Sequence, residues 1–274
     1  MNVKKSLWKH WVSCGCLLWL LYCSACQPNI NATPAPDEVQ RYLWVGDDLI
    51  SAGPLDMQSL LMISLSNYPY AVDMRRWVKP QNVLTEPVET AALVEKLELM
   101  AYDVVVLQLF GVRRDFEDNA YLDQVVEWIE VVRGQEKIAV LLYPWFSEVD
   151  SDAQKERMDG LVHQAAWRTQ IVLIPVGPAW QTVQAARPDI QLYASDGLHP
   201  SAEGVYLSAC VVYAVFTGTS PVGHPGYTSI GYDDPQQIVT IDEEVAAYLQ
   251  TAAWETILDY QQKDEFQVIL FQKE

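Results

Sequence analysis

The segment Tyr193-Ala194-Ser195-Asp196-Gly197-Leu198-His199-Pro200-Ser201 carries a carboxylate three residues before an imidazole, between an apolar strand pattern and a small-residue helix pattern. At that spacing Asp196 can accept the proton on one ring nitrogen of His199 and so fix its tautomer. The other ring nitrogen is then free to take a proton from a nucleophile or a water, the work of a hydrolytic triad lacking its first member. Taken alone, Asp-x-x-His is also what a turn aspartate beside an exposed histidine gives.

The surroundings extend the pattern. From Ile171 to Pro221 the chain resembles the strand, Asp-x-x-His loop and closing helix of the bacterial SGNH/GDSL hydrolases. Arg41-Tyr42-Leu43-Trp44-Val45-Gly46-Asp47-Asp48-Leu49 falls at the place of that superfamily's first block, an apolar strand ending in Gly-Asp-Ser or Gly-Asn-Ser. Tyr102–Gln108 is similar to its central strand. The resemblance implies an α/β fold, a three-layer α/β/α sandwich on a parallel flavodoxin-like sheet, with Asp196 and His199 as catalytic partners.

The departures from the family pattern are as informative. Asp48 replaces the serine nucleophile, and Asp47 stands for the preceding Asp or Asn. No glycine occurs between Pro54 and Phe110, and the stretch Leu109–Arg114 has no asparagine. The glycine and asparagine that complete the family's oxyanion hole are therefore not visible, which leaves Gln108 as the candidate side-chain donor. A carboxylate at position 48 also places negative charge where an acyl transition state develops it. Ordinary serine-esterase chemistry is not expected, although Asp48 could attack a saturated carbon or, with His199, activate water. Ser51 is either a displaced nucleophile or a turn cap. Trp180, shortly before the loop, is either a wall of the cleft or a packed core aromatic.

Three readings remain open on these residues. The chain is a degenerate hydrolase that keeps a ligand cleft for a carbohydrate or ester, an altered hydrolase, or a structural lipoprotein of the envelope. No cofactor is expected, and no grouping of His, Asp and Glu has metal-ligand spacing.

The N-terminus carries Lys4, Lys5 and Lys9, then an apolar run from Trp11 to Tyr22, then Cys23-Ser24-Ala25-Cys26. This reads as an export signal, and its end resembles a bacterial lipobox in which Cys26 is acylated. Residues 1–25 are thus expected to be a lipoprotein signal peptide and 26–40 a tether. Gln27 after the cysteine points to the periplasmic side of the outer membrane. With Cys14, Cys16 and Cys23 removed and Cys26 lipidated, only Cys210 stays free, so thiols can build no disulfide framework.

Loss of three lysines from 18 basic residues takes the net charge from −18 to −21. Such a chain repels phosphate backbones, which argues against nucleic acid as a partner and assigns membrane attachment to the lipid.

Strands are expected at Arg41–Val45, Tyr70–Val78, Asp103–Gln108, Lys137–Leu142 and Ile171–Pro175, each fairly continuous in apolar residues as buried parallel strands are. Helices fit at Pro54–Ser66, Pro87–Met100, Phe116–Arg133, Asp152–Gln170, Ala179–Ala186 and Ala202–Phe216. In the third, Tyr121, Val125, Trp128, Ile129 and Val132 make one buried face. The hydrolase-like domain is expected over 41–225. Residues 226–274 read as an extension packing on it, with an acidic amphipathic helix at Ile241–Gln261 and an edge strand or cap at Gln267–Phe271.

Overall fold

The computed structural model describes residues 39–47, 71–79, 87–110, 117–230, 237–263 and 268. The expected signal peptide, Cys26, Asp48, Ser51 and the helix Pro54–Ser66 lie outside the described residues.

Five strands form one parallel sheet: β1 (Val39–Gly46), β2 (Ala71–Val78), β3 (Val104–Leu107), β4 (Ile138–Tyr143) and β5 (Val172–Pro175). Their spatial order is β2-β1-β3-β4-β5, the doubly wound order in which the connections reverse direction between β1 and β3. All four residues of β3 are buried, as a central strand covered on both faces requires. β1 starts two residues before the expected boundary, with Gln40 buried and its Oε1 accepting from the Tyr42 hydroxyl at 2.5 Å.

The helices are α1 (Pro87–Leu99), α2 (Asp118–Gly134), α3 (Asp152–Thr169), α4 (Val176–Ala186), α5 (Ala202–Thr217) and α6 (Glu243–Gln262). Strand register separates them into two layers. Tyr42 and Trp44, two apart on β1, both contact Phe216 of α5. Trp77 of β2 is paired with Val45, so it faces the opposite side, where it stacks on Trp128 of α2. The sheet therefore lies between α2 and α5, and the architecture is a three-layer α/β/α sandwich.

Local chemistry sets the helix ends. The Glu117 carboxylate caps α2 by accepting the Ala120 N–H, and Ser151 with Gln154 makes a reciprocal capping box on α3. Helix α3 stops at Gln170, which takes φ 51°. Helix α4 begins three residues earlier than expected. Its opening Val176-Gly177-Pro178 looks like a loop, but proline is tolerated in a first turn because those N–H groups have no helical partner. Gly177 is required there, since a Cβ would sit 2.4 Å from the Pro144 carbonyl oxygen.

Helix α5 is buried at every residue from Gly204 to Phe216. The sheet covers one side and α6 the other, which explains why α5 is apolar all round. Ala246, Leu249, Ala253, Ile257 and Tyr260 of α6 belong to the same core as the strands. The segment expected as an extension is thus built into the sandwich. It also contains an unexpected antiparallel pair, β6 (Tyr227–Ile230) with β7 (Gln237–Thr240). Of the expected strand Gln267–Phe271 only Val268 is described, and it is buried.

Phe216 closes α5 onto β1 through two aromatic contacts at 1% exposure. Phe216→Ala is expected to cost about 3–5 kcal/mol of stability, read as a lower denaturation midpoint in urea with an unchanged slope.

Candidate active site

The carboxyl ends of β1 and β3 flank the point where the connections reverse, the place where doubly wound sheets open a crevice. Asp47 and Gln108 follow those two strands. Both are buried, at 0% and 1% exposure. The Asp47 N–H donates to Gln108 Oε1 at 2.9 Å, and Gln108 Nε2 donates to the Phe110 carbonyl at 3.0 Å. Gln108 thus ties the turn after β1 to the turn after β3, with its amide bonded at both ends to backbone. Here it clamps the floor of the crevice, and any contact with an oxyanion would be left to its second Nε2 hydrogen.

The Asp196–His199 loop is a tight hairpin. Tyr193 and Pro200 form an isolated bridge, and the Ala194 N–H donates to the His199 carbonyl at 2.8 Å. Gly197 turns the chain at φ +66°, where a Cβ would meet Glu148 at 3.0 Å. Asp196 then bonds three N–H groups. Its Oδ1 accepts from Leu198 N at 3.0 Å and His199 N at 2.9 Å, and its Oδ2 lies 2.5 Å from His199 Nδ1. These bonds, the one from the His199 ring first and the two backbone N–H groups after it, hold the carboxyl pKa down to about 2.

An ionised carboxylate accepts only, so the proton is assigned to Nδ1 and the lone pair to Nε2. Nε2 is enclosed and has no hydrogen-bond partner among the described residues. With that tautomer, Nε2 is the ring atom at which the imidazole could accept a proton.

The loop after β4 braces this hairpin. Trp145 Nε1 donates to the Leu198 carbonyl at 2.9 Å. The Gly197 carbonyl accepts from Glu148 N–H at 2.8 Å and Ser147 Oγ at 3.2 Å. Tyr193 donates its hydroxyl to the Phe146 carbonyl at 2.7 Å, and burial pushes that phenol's pKa up to about 12.

Sequence reasoning passed over Pro144–Glu148, although it directly follows a buried strand on the edge where such sheets carry their chemistry. Trp180, open in the sequence between cleft wall and core aromatic, is packed. It is 1% exposed, stacked on Trp145 at 4.9 Å, and its Nε1 donates to Ser208 Oγ at 3.0 Å. With its polar end satisfied on α5, it supports the loop from beneath and does not wall the cleft. Asp48, one residue beyond Asp47, and Arg113 and Arg114 lie outside the described residues. Among the described residues no three of His, Cys, Asp and Glu gather in metal-binding geometry.

Comparison of the whole fold with solved structures gives clear matches. A protein assigned to the SGNH hydrolases in Slackia heliotrinireducens matches at 24% identity and a TM-score of 0.50, over 64% of this chain and 98% of that one. A DUF4886 family protein of Bacteroides uniformis matches at 15% identity and a TM-score of 0.59, over 81% and 95%. The acetylxylan esterase Axe2 of Geobacillus stearothermophilus matches at 15% identity and a TM-score of 0.52, over 63% and 92%. The chain has the SGNH/GDSL hydrolase fold. No protein-family profile and no curated protein sequence matches it.

Within the SGNH fold, the resemblance of Ile171–Pro221 and the geometry of Asp196 and His199 concern the same loop. The first block differs, because Asp48 stands at the serine position. Since the native Asp196 pKa of about 2 lies below the ordinary 3.8, ionisation stabilises the loop fully above pH 3.8. That contribution is lost as the pH falls through about 2. The Asp196 carboxyl ¹³C resonance should titrate with a midpoint of about 2, and the midpoint should rise toward 3.8 in His199→Ala. A wild-type midpoint near 3.8 would contradict the three-bond geometry.

Proposed function

We propose that this protein is an SGNH-fold lipoprotein of the bacterial envelope that binds a carbohydrate or ester ligand at the carboxyl edge of its sheet and has lost serine-esterase turnover. The observation that carries the reading is the contrast within the site. Asp196 and His199 are paired, with the enclosed Nε2 unpartnered among the described residues. The position that should deliver a hydroxyl carries Asp48, and Gln108 keeps only one Nε2 hydrogen beyond its two backbone bonds.

In a hydrolase of this fold the serine attacks the acyl carbon while His199 would accept its proton. Asp196 would hold the imidazole in the correct tautomer and stabilise the imidazolium. Here a fixed carboxylate at position 48 opposes the developing oxyanion. The similarity to an acetylxylan esterase supports an acylated glycan as the ligand class. The unpartnered Nε2 favours one second reading, in which His199, with Asp48, activates water on a substrate that needs no serine.

The protein lacking residues 1–26 is expected to show little hydrolysis of activated acetyl esters. Asp48→Ser should raise the rate, and adding His199→Ala should abolish the gain. Each missing oxyanion donor costs about 10²–10³ in rate, so the restored activity should be low but dependent on His199. Strong wild-type hydrolysis that survives Asp48→Ala would overturn the reading. Isothermal titration with an acetylated xylo-oligosaccharide should show binding to the wild type, without turnover.

The envelope assignment rests on the signal-like N-terminus and the lipobox resemblance. Labelled palmitate should enter the wild-type chain and not Cys26→Ser. Equal labelling of the two would refute acylation at Cys26.

A further inference from the structure

We propose that Trp145 is a positioning residue for His199, aiming its imidazole by holding the peptide group that joins Leu198 to His199. This rests on the reading of His199 as the site's base. That one peptide is gripped at both ends. Its carbonyl oxygen accepts from Trp145 Nε1 at 2.9 Å, and its N–H donates to Asp196 Oδ1 at 2.9 Å. The next peptide is held as well, since the His199 carbonyl accepts from the Ala194 N–H at 2.8 Å. With both flanking peptide planes fixed, the direction of the His199 Cα–Cβ bond is fixed, and the Nδ1 bond to Asp196 sets the ring.

The bonds to Asp196 and Ala194 are internal to the hairpin and would travel with it if it swung as a unit. The Trp145 bond comes from the segment after β4, so it registers the histidine peptide against the sheet. Ser147 and Glu148 also reach the hairpin from that segment, but they hold the Gly197 carbonyl, one peptide upstream.

Trp145 is itself immobilised. It is 3% exposed and lies against Trp180 with the rings 12° from parallel. Trp180 is fixed by Ser208, whose hydroxyl donates in turn to the Gly204 carbonyl at 2.8 Å. Gly204 admits the Trp180 ring only because it has no Cβ, which would come within 2.7 Å of that ring. A run of contacts from α5 through two stacked indoles thus ends on the backbone of His199.

The test is the exchange of the His199 Nδ1 proton with water, followed by NMR of the full chain labelled with ¹⁵N-histidine. Trp145→Phe keeps a ring against Trp180 and removes the donor. Exchange is expected to rise about tenfold, the factor that corresponds to one lost hydrogen bond of this kind. Ser147→Ala, which removes one of the two bonds on the upstream Gly197 carbonyl and the acceptor of the Val149 N–H, should leave the rate unchanged. Equal rates in wild type and Trp145→Phe would overturn the proposal, and so would an equal rise in Ser147→Ala, which would indicate general loosening. Should Trp145→Phe fail to fold, the wild type decides. The Trp145 Nε1 and His199 Nδ1 protons must then exchange together, and His199 exchange while the indole stays protected would overturn the assignment. A wild type with no protected Nδ1 proton would refute the Asp196–His199 pairing first, and this proposal with it.

Discussion

The site depends on one carboxylate making three bonds. Asp196 joins the Leu198 and His199 amides and the His199 ring, so it shapes the loop and orients the imidazole with the same two oxygens. Only the ionised form accepts all three, and those bonds in turn keep it ionised. The loop and the dyad are consequently one object. Trp145, Ser147, Glu148 and Tyr193 then attach that object to the end of β4, and the stacked pair Trp145–Trp180 supports it on α5.

The fold was legible because burial writes a simple pattern. Strands β3, β4 and β5 read as apolar runs, since strands covered on both faces have no solvent side to mark with polar residues, whereas the edge strand β2 carries exposed Arg75 and Arg76 among its apolar residues. Helix α2 was legible for the opposite reason, its single buried face being spelled out by Tyr121, Val125, Trp128, Ile129 and Val132. Asp196 and His199 could be read because their pairing is local, and a three-residue spacing nearly determines the geometry. The start of α4 was hidden by Gly177 and Pro178, whose turn chemistry is also first-turn helix chemistry.

What escaped the sequence is what depends on distant partners. Trp180 looked equally able to face a cleft or a core, and its role was decided by Ser208 and Gly204 on α5. Gln108 was read only as a side-chain donor, and its bonds to Asp47 and Phe110 across two different turns could not be seen in the sequence. Trp145 carried no signal of its own, because its partner is a backbone carbonyl 53 residues away. The β6–β7 pair was missed because its strands are only four residues long. The helix expected at Ile241–Gln261, in a segment packing on the domain, shows which surface it packs on only once α5 is known to need cover on its outer side.

The placement of acidic residues links the helices to the site. The first turns of α1, α2, α3 and α5 carry Glu89, Asp118, Asp152 and Glu203, and the last turns of α1, α2 and α3 carry Lys96, Arg133 and Arg168. Each arrangement favours its own helix by complementing the peptide dipoles. Two of these acids are also answered by basic side chains near the carboxyl edge of the sheet, Glu89 by Lys79 and Asp118 by Arg157, so the first turns are local balances of charge. Glu148, Asp150 and Asp196 lie on the same edge, in a chain already at −18. The charges at the helix ends are thus answered turn by turn, and the Asp196 carboxylate is answered in the same way by its own loop, through two amides and one ring N–H.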